Sequence, residues 1–257
     1  MRKRIIQELE NIESDKDVQI LYACESGSRA WGFASKDSDF DVRFIYLHPI
    51  NWYLSISDKR DVIERNIDDC LDISGWEFRK ALQLFRKSNP VLLEWLQSPI
   101  VYMEKYIAAN KLRDLMSVYF SPKSCLYHYL HMARGNYREF LGGDQVWLKK
   151  YFYVLRPVLA CRWIEATNTM PPTEFDKLVE SQVPTHRLRE EIVKLLEMKK
   201  AGAELKKGSK IQVINNFLES EIERYKGYIV NLPKSNPPST ASLDKLFQTT
   251  LSEVWEV

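Results

Sequence analysis

Residues 27–41 read Gly-Ser-Arg-Ala-Trp-Gly-Phe-Ala-Ser-Lys-Asp-Ser-Asp-Phe-Asp. A small-residue turn opens this stretch and three acids in five residues close it. In a strand, residues i and i+2 point to the same face. Asp39 and Asp41 therefore project side by side from a strand read over 39–46 (DFDVRFIY), where charged and apolar residues alternate. Two adjacent carboxylates repel and are expensive to keep ionised without a cation. A divalent metal answers that demand, and Mg²⁺ prefers carboxylates together with substrate phosphates. Upstream, Gly27 lets the backbone approach a ligand closely, while the Ser28 hydroxyl and the N–H groups of the turn can hold phosphate oxygens. A phosphate cradle and a carboxylate pair are the parts that nucleotidyl transfer by two metals requires.

A third carboxylate usually completes such a site. The best candidate is Asp72, set between Leu71 and Ile73 on a strand read beside the first. Its expected role is to bind the metal nearer the attacking hydroxyl and to help deprotonate it. Asp61, Asp68 and Asp69 compete for the position. Asp68 and Asp69 fall in a turn, where acids are common for local reasons.

Working outward, 18–24 (VQILYAC) is an apolar run of strand formers, and 61–65 and 70–74 are two short strands joined by a tight turn at 66–69. Residues 2–14 read as an amphipathic helix with Ile5, Ile6 and Leu9 on one face, and not as a secretory leader. From Gly75 the pattern turns helical. Asn89-Pro90 and Ser121-Pro122 are cap-plus-proline starts, and Gly142-Gly143 closes a helix. A long helix is expected over 145–167 with a kink at Pro157. Further helices are expected over 174–181, 185–200, 211–229 and 243–255, with 233–242 as a linker. Strands thus crowd into 18–74 and helices fill the rest. This is α+β with a separate helical part, divided into 1–110 and 111–257.

The chain has 257 residues, enough for one large or two small domains, and a formal net charge of +2. That balance argues against a whole-protein field driving non-specific nucleic-acid binding, while a local basic channel stays open. The four cysteines have no CxxC spacing, so a reduced, cytoplasmic protein is expected. No apolar run is long enough to span a bilayer, and no membrane partner is expected.

Secondary candidates lie on the 145–167 helix. There Lys149, Tyr153 and Arg156, spaced i, i+4, i+7, would share a stripe able to hold a triphosphate or an RNA backbone, or else form a solvated face. Arg29 could neutralise a phosphate or pair with Asp37. His128 and His131, three apart, read as packing or hydrogen-bonding residues and not as a metal pair. Lys123 and Arg134 could add to a basic cleft. Lys199, Lys200, Lys206, Lys207 and Lys210, around Gly202 and Gly208, read as a solvated loop, with RNA contact as the sharper alternative.

The joint pattern resembles the DNA polymerase β nucleotidyltransferase superfamily, whose signature is GS, a spacer with a further glycine, then (S)DxD. Here these are Gly27-Ser28, Gly32 and Ser38-Asp39-Phe40-Asp41. The longer string GSRAWGFASKDSDFDVRFIY, with stretches 71–77, 89–99 and 149–157, resembles the YcgL-type branch, which includes RNA-repair-pathway polymerase β-like enzymes. The resemblance implies a polymerase-β-type core, a short mixed sheet with flanking helices, and a C-terminal helical domain. It implies metal ligands at Asp39, Asp41 and Asp72 and nucleotide contacts at Gly27 and Ser28, with Arg29 and Ser38 beside them. Mg²⁺ or Mn²⁺ is the expected cofactor and an NTP the expected substrate. The expected reaction moves a nucleoside monophosphate to a hydroxyl, foremost an RNA or tRNA end, releasing pyrophosphate. The alternatives are transfer to a protein hydroxyl, or to a small molecule, or a non-catalytic nucleotide or RNA sensor.

Overall fold

A computed structural model describes residues 1–201, 205–233 and 236–256. The chain forms two compact units that interleave in sequence. The first comprises Met1–Ala30, Asp39–Tyr119 and Pro237–Val257, and the second Trp31–Ser38 and Phe120–Asn236.

The first unit opens with helix α1 (Arg2–Lys16), whose buried face is Ile5, Leu9 and Ile12. It contains strands β1 (Gln19–Glu25), β2 (Phe40–Leu47), β3 (Val62–Asp68), β4 (Leu71–Glu77) and β5 (Val101–Glu104), and helices α2 (Gly27–Ala30), α3 (Ile50–Tyr53), α4 (Phe78–Arg86), α5 (Pro90–Leu96) and α6 (Ala108–Tyr119). The strands make one sheet in the order β3-β4-β2-β1-β5. The β2–β4 pair is parallel and the other three pairs are antiparallel. This mixed five-stranded sheet flanked by helices makes the protein α+β.

The period-2 pattern of β2 decides which face is wet. Val42, Phe44 and Tyr46 join Leu71, Ile73, Ile20 and the buried face of α1 in one apolar core. Asp41 and Arg43 alternate with them and point the other way. Gly75 is the register partner of Phe44, and an added Cβ there would lie 2.3 Å from Phe44 Cε2. The missing side chain is the space the buried phenyl ring fills.

Helix α4 is capped by Glu77, whose carboxylate accepts from Arg79 N at 2.8 Å and Lys80 N at 3.1 Å. Asn89 caps α5 through Leu92 N, with Pro90 in the first turn, as the sequence predicts. The C-terminal helix, Ala241–Trp255, belongs to this unit. Phe247 packs its ring edge-on to Tyr53, and the carbonyls of Pro238 and Ser239 accept from Arg86 and Tyr119. The expected single boundary at 110/111 therefore falls inside α6, and the last helix returns to the sheet-bearing unit.

The second unit holds helices α7 (Pro122–Phe140), α8 (Tyr151–Thr167), α9 (Phe175–Gln182), α10 (His186–Lys200) and α11 (Gln212–Val230). It also holds a two-stranded ribbon of β6 (Gln145–Trp147) and β7 (Lys207–Ser209). Residues Phe152, Val154 to Cys161 and Ile164 of α8 are buried, so this helix is covered on most of its faces and forms the centre of the unit. Trp31 and Phe33 join it by ring contacts with Tyr153, Phe152 and Phe175, and Phe175 N donates to Trp31 O at 2.9 Å.

The helix expected over 145–167 is corrected here. Residues 145–147 pair antiparallel with 207–209, and Leu148–Lys150 form a 3-10 turn before α8 begins. A strand partner about sixty residues away leaves no local periodicity to read. For the same reason Lys207 lies in a strand and not in a solvated loop, while Gly202 lies outside the described residues. Strand β5 and helix α6 were not anticipated. Among the described residues no helix is long and apolar enough to cross a membrane.

Gly75→Ala is expected to cost about 1–3 kcal/mol, the usual range for overpacking a filled core. Urea unfolding measures it, and co-introduction of Phe44→Leu should recover part of the loss.

Candidate active site

The β2–β4 register sets Asp41 directly beside Asp72. Neighbouring strands lie roughly 4.8 Å apart, so two carboxylates on one face of adjacent strands crowd each other. Arg43, two residues along on the same face, lies between them. Its Nη2 is 2.7 Å from Asp72 Oδ2 and 3.4 Å from Asp41 Oδ1. Its Nη1 donates to Val42 O at 2.9 Å and to Asp72 O at 3.4 Å.

Asp41 is the most constrained acid of the group. Its N–H donates to Glu25 Oε1 at 2.8 Å, and its carbonyl accepts from Ser26 N at 2.8 Å. Burial pushes its carboxyl above the usual carboxylate range. The Arg43 guanidinium opposes that shift, and the charges of Asp72 and Asp39 add to it. Glu25 is fully buried, accepts a hydrogen bond from the Tyr102 hydroxyl, and is likewise pushed up by burial. Glu25 thus stands behind Asp41 and fixes its backbone.

Gly27 presses on the other side of Asp41. Its φ is +58°, and an added Cβ would lie 2.1 Å from Asp41 Oδ2. This position demands glycine twice, for its left-handed backbone and for the carboxylate against it. The turn expected after β1 is the single-turn helix α2, which carries Ser28, half-buried, and Arg29. Arg29 Nε donates to Asp39 O at 3.0 Å, and its guanidinium lies 3.6 Å from the Phe40 ring centroid. The side chain of Arg29 therefore clamps the loop end at Asp39. Asp39 itself is exposed and precedes β2 by one residue.

Two of the competing acids are engaged elsewhere. Asp61 pairs with Lys80 at 2.7 Å and Asp68 with Arg4 at 2.7 Å. Ser38 closes a turn with Ser35, accepting from Ser35 N at 2.9 Å. Lys149, Tyr153 and Arg156 lie in the second unit, where Tyr153 and Arg156 both meet the Trp31 ring and Lys149 lies outside α8. Lys149 is exposed in the 3-10 turn, whereas Arg156 is only 2% exposed and lies over the Trp31 ring at 4.6 Å. Lys123 donates to Leu232 O. Sequence reading missed Arg43, Glu25 and Tyr102. Arg43 continues the i, i+2 row that begins at Asp39 and Asp41, but its bridging role depends on atoms that spacing alone does not give.

Among the described residues no three His, Cys, Asp or Glu side chains converge as a ready-made metal cage. The donor chemistry still fits Mg²⁺ or Mn²⁺. These ions bind through one or two carboxylates plus substrate phosphates, and Asp41 and Asp72 form a pair that already holds a cationic group between them.

Carboxylates from adjacent parallel strands, backed by a glycine turn, define an acidic site on one face of an α+β sheet. The chain belongs to the RNA repair pathway DNA polymerase beta family (RlaP), whose model matches residues 1–249. It is 51% identical over 256 residues to "Uncharacterized protein YcgL" of Bacillus subtilis (strain 168), covering 100% of this chain and 98% of that relative. A solved nucleotidyltransferase-like protein from Exiguobacterium sibiricum 255-15 aligns over 98% of this chain and 90% of its own. That alignment has 11% identity and a TM-score of 0.31.

A pH dependence follows from Asp41. Because its folded pKa is raised, ionising it costs stability as pH climbs from the ordinary carboxylate value through the shifted one. Asp41→Asn should therefore melt higher than wild type at pH 7–8 in chelator, with the gain shrinking toward about pH 4. Melting curves across that range check it.

Proposed function

We propose that the protein is a Mg²⁺- or Mn²⁺-dependent nucleotidyltransferase that moves a nucleoside monophosphate from an NTP to a hydroxyl, foremost at an RNA end. The observation that carries this reading is the parallel register that sets Asp41 against Asp72 beside a glycine turn. Family membership supports the same chemistry.

Asp39, Asp41 and Asp72 would hold the divalent cations, which supply charge for the phosphate oxygens and lower the pKa of the attacking hydroxyl. Glu25 and Gly27 keep Asp41 fixed. Ser28 and the N–H groups around α2 are assigned to the triphosphate. Asp72 is the more exposed of the paired carboxylates, at 50% of its side chain against 33% for Asp41. It is therefore assigned to the acceptor side, where it takes the hydroxyl proton. The acceptor oxygen forms a bond to the α-phosphorus, the α–β bridging P–O bond breaks, and pyrophosphate leaves with that electron pair. This assignment uses the first unit alone.

The test is pyrophosphate release with each labelled NTP, Mg²⁺ or Mn²⁺, and total RNA. Wild type should place label on RNA. Asp41→Asn and Asp72→Asn should each lose at least about a hundredfold, as expected when a group acting on the transition state is removed. Gly27→Ala, which drives a methyl into Asp41, should fall with them while keeping its circular dichroism. Label on the protein itself would favour protein modification. NTP binding without pyrophosphate release would favour a sensor.

A further inference from the structure

Arg43 makes two kinds of contact. Through Nη2 it pairs with both carboxylates, and through Nη1 it is tied to the Val42 and Asp72 carbonyls. Its side chain is 20% exposed, less than either acid it bridges. A half-buried guanidinium between two acids is a strong interaction, because charged hydrogen bonds of this kind are about twice as strong as neutral ones. The same Nη2 occupies the position between Asp41 and Asp72 that a bridging cation needs.

We propose that Arg43 is a resident counter-ion that must release Asp41 and Asp72 before a divalent metal binds them, so that metal capture is an exchange of cations. This rests on the metal-dependent reading above. The Nη1 bond to Val42 O uses a backbone acceptor and need not break. The guanidinium can swing on that anchor while Nη2 leaves the carboxylates. Once released, its donors face a site that a triphosphate enters with several negative oxygens, and a planar guanidinium pairs well with phosphate. The exchange makes metal and nucleotide binding cooperative. Metal alone must displace Arg43 without compensation, whereas metal with nucleotide gives Arg43 a new anion. Arg43 is thus a positioning residue that suppresses metal binding until the nucleotide is present.

The test is Mn²⁺ titration of the full-length, metal-free protein, followed by the paramagnetic resonance of free Mn²⁺, with and without an α,β-methylene NTP analogue. Arg43→Gln should bind Mn²⁺ alone about tenfold tighter than wild type, the equivalent of one charged hydrogen bond. It should also lose most of the tightening that the analogue produces in wild type. Arg43→Lys keeps the charge but lacks the second nitrogen that ties the guanidinium to the Val42 and Asp72 carbonyls. It should fall between the two, and it serves as the readout if the glutamine variant does not fold. Mn²⁺ binding that is unchanged or weaker in a folded Arg43 variant overturns the exchange. If Asp41→Asn binds Mn²⁺ as wild type does, the metal site itself is overturned, which is a separate result.

Discussion

Two carboxylates on neighbouring parallel strands share a sheet face at neutral pH only at a cost, which a positive group between them offsets. Asp41 and Asp72 are in that position because β2 and β4 run parallel in a register that makes them Cα partners. The register is fixed from the apolar side. Val42 and Phe44 pair with Ile73 and Gly75 over the face of α1, and a slip of one residue would turn every one of these side chains to the wrong face. Gly75 admits the Phe44 ring and Gly27 admits the Asp41 carboxylate. The hydrophobic core and the acidic site are thus two faces of one strand pairing.

Much of this was legible in residues 18–77. Alternation in DFDVRFIY gives the strand and its wet face, the apolar neighbours of Asp72 give its partner, and Asn89-Pro90 and Ser121-Pro122 give helix starts. These features are local, so periodicity and capping residues carry them. What escaped reading was non-local. Strand β6 depends on a partner about sixty residues downstream, and β5 is a four-residue strand whose pairing with β1 leaves no pattern of its own. Residues 31–38 belong to the helical unit because Trp31 and Phe33 pack with α8 and α9, and their spacing in sequence gives no hint of that.

The candidate site divides in the same way. The acids and the glycine declare themselves through chemistry that is costly unless used. Arg43 and Glu25 do not, because their roles depend on which atoms they reach. A cation two residues after an acid in a strand could as well have been a surface ion pair. Lys149, Tyr153 and Arg156 show the converse. Helical spacing grouped them, but Lys149 precedes the helix and Arg156 is buried. Residue spacing predicts a shared face only where the element that carries it is continuous.

The central claim is that Asp41 and Asp72 act as one cation-binding unit. A double-mutant cycle on Mn²⁺ affinity in the presence of the nucleotide analogue tests it most directly. If the two acids hold one ion, Asp41→Asn and Asp72→Asn will each remove most of the binding, and the double variant will lose little more than either single one. Losses that simply add, or an Asp72→Asn variant that binds Mn²⁺ as wild type does, would contradict the account.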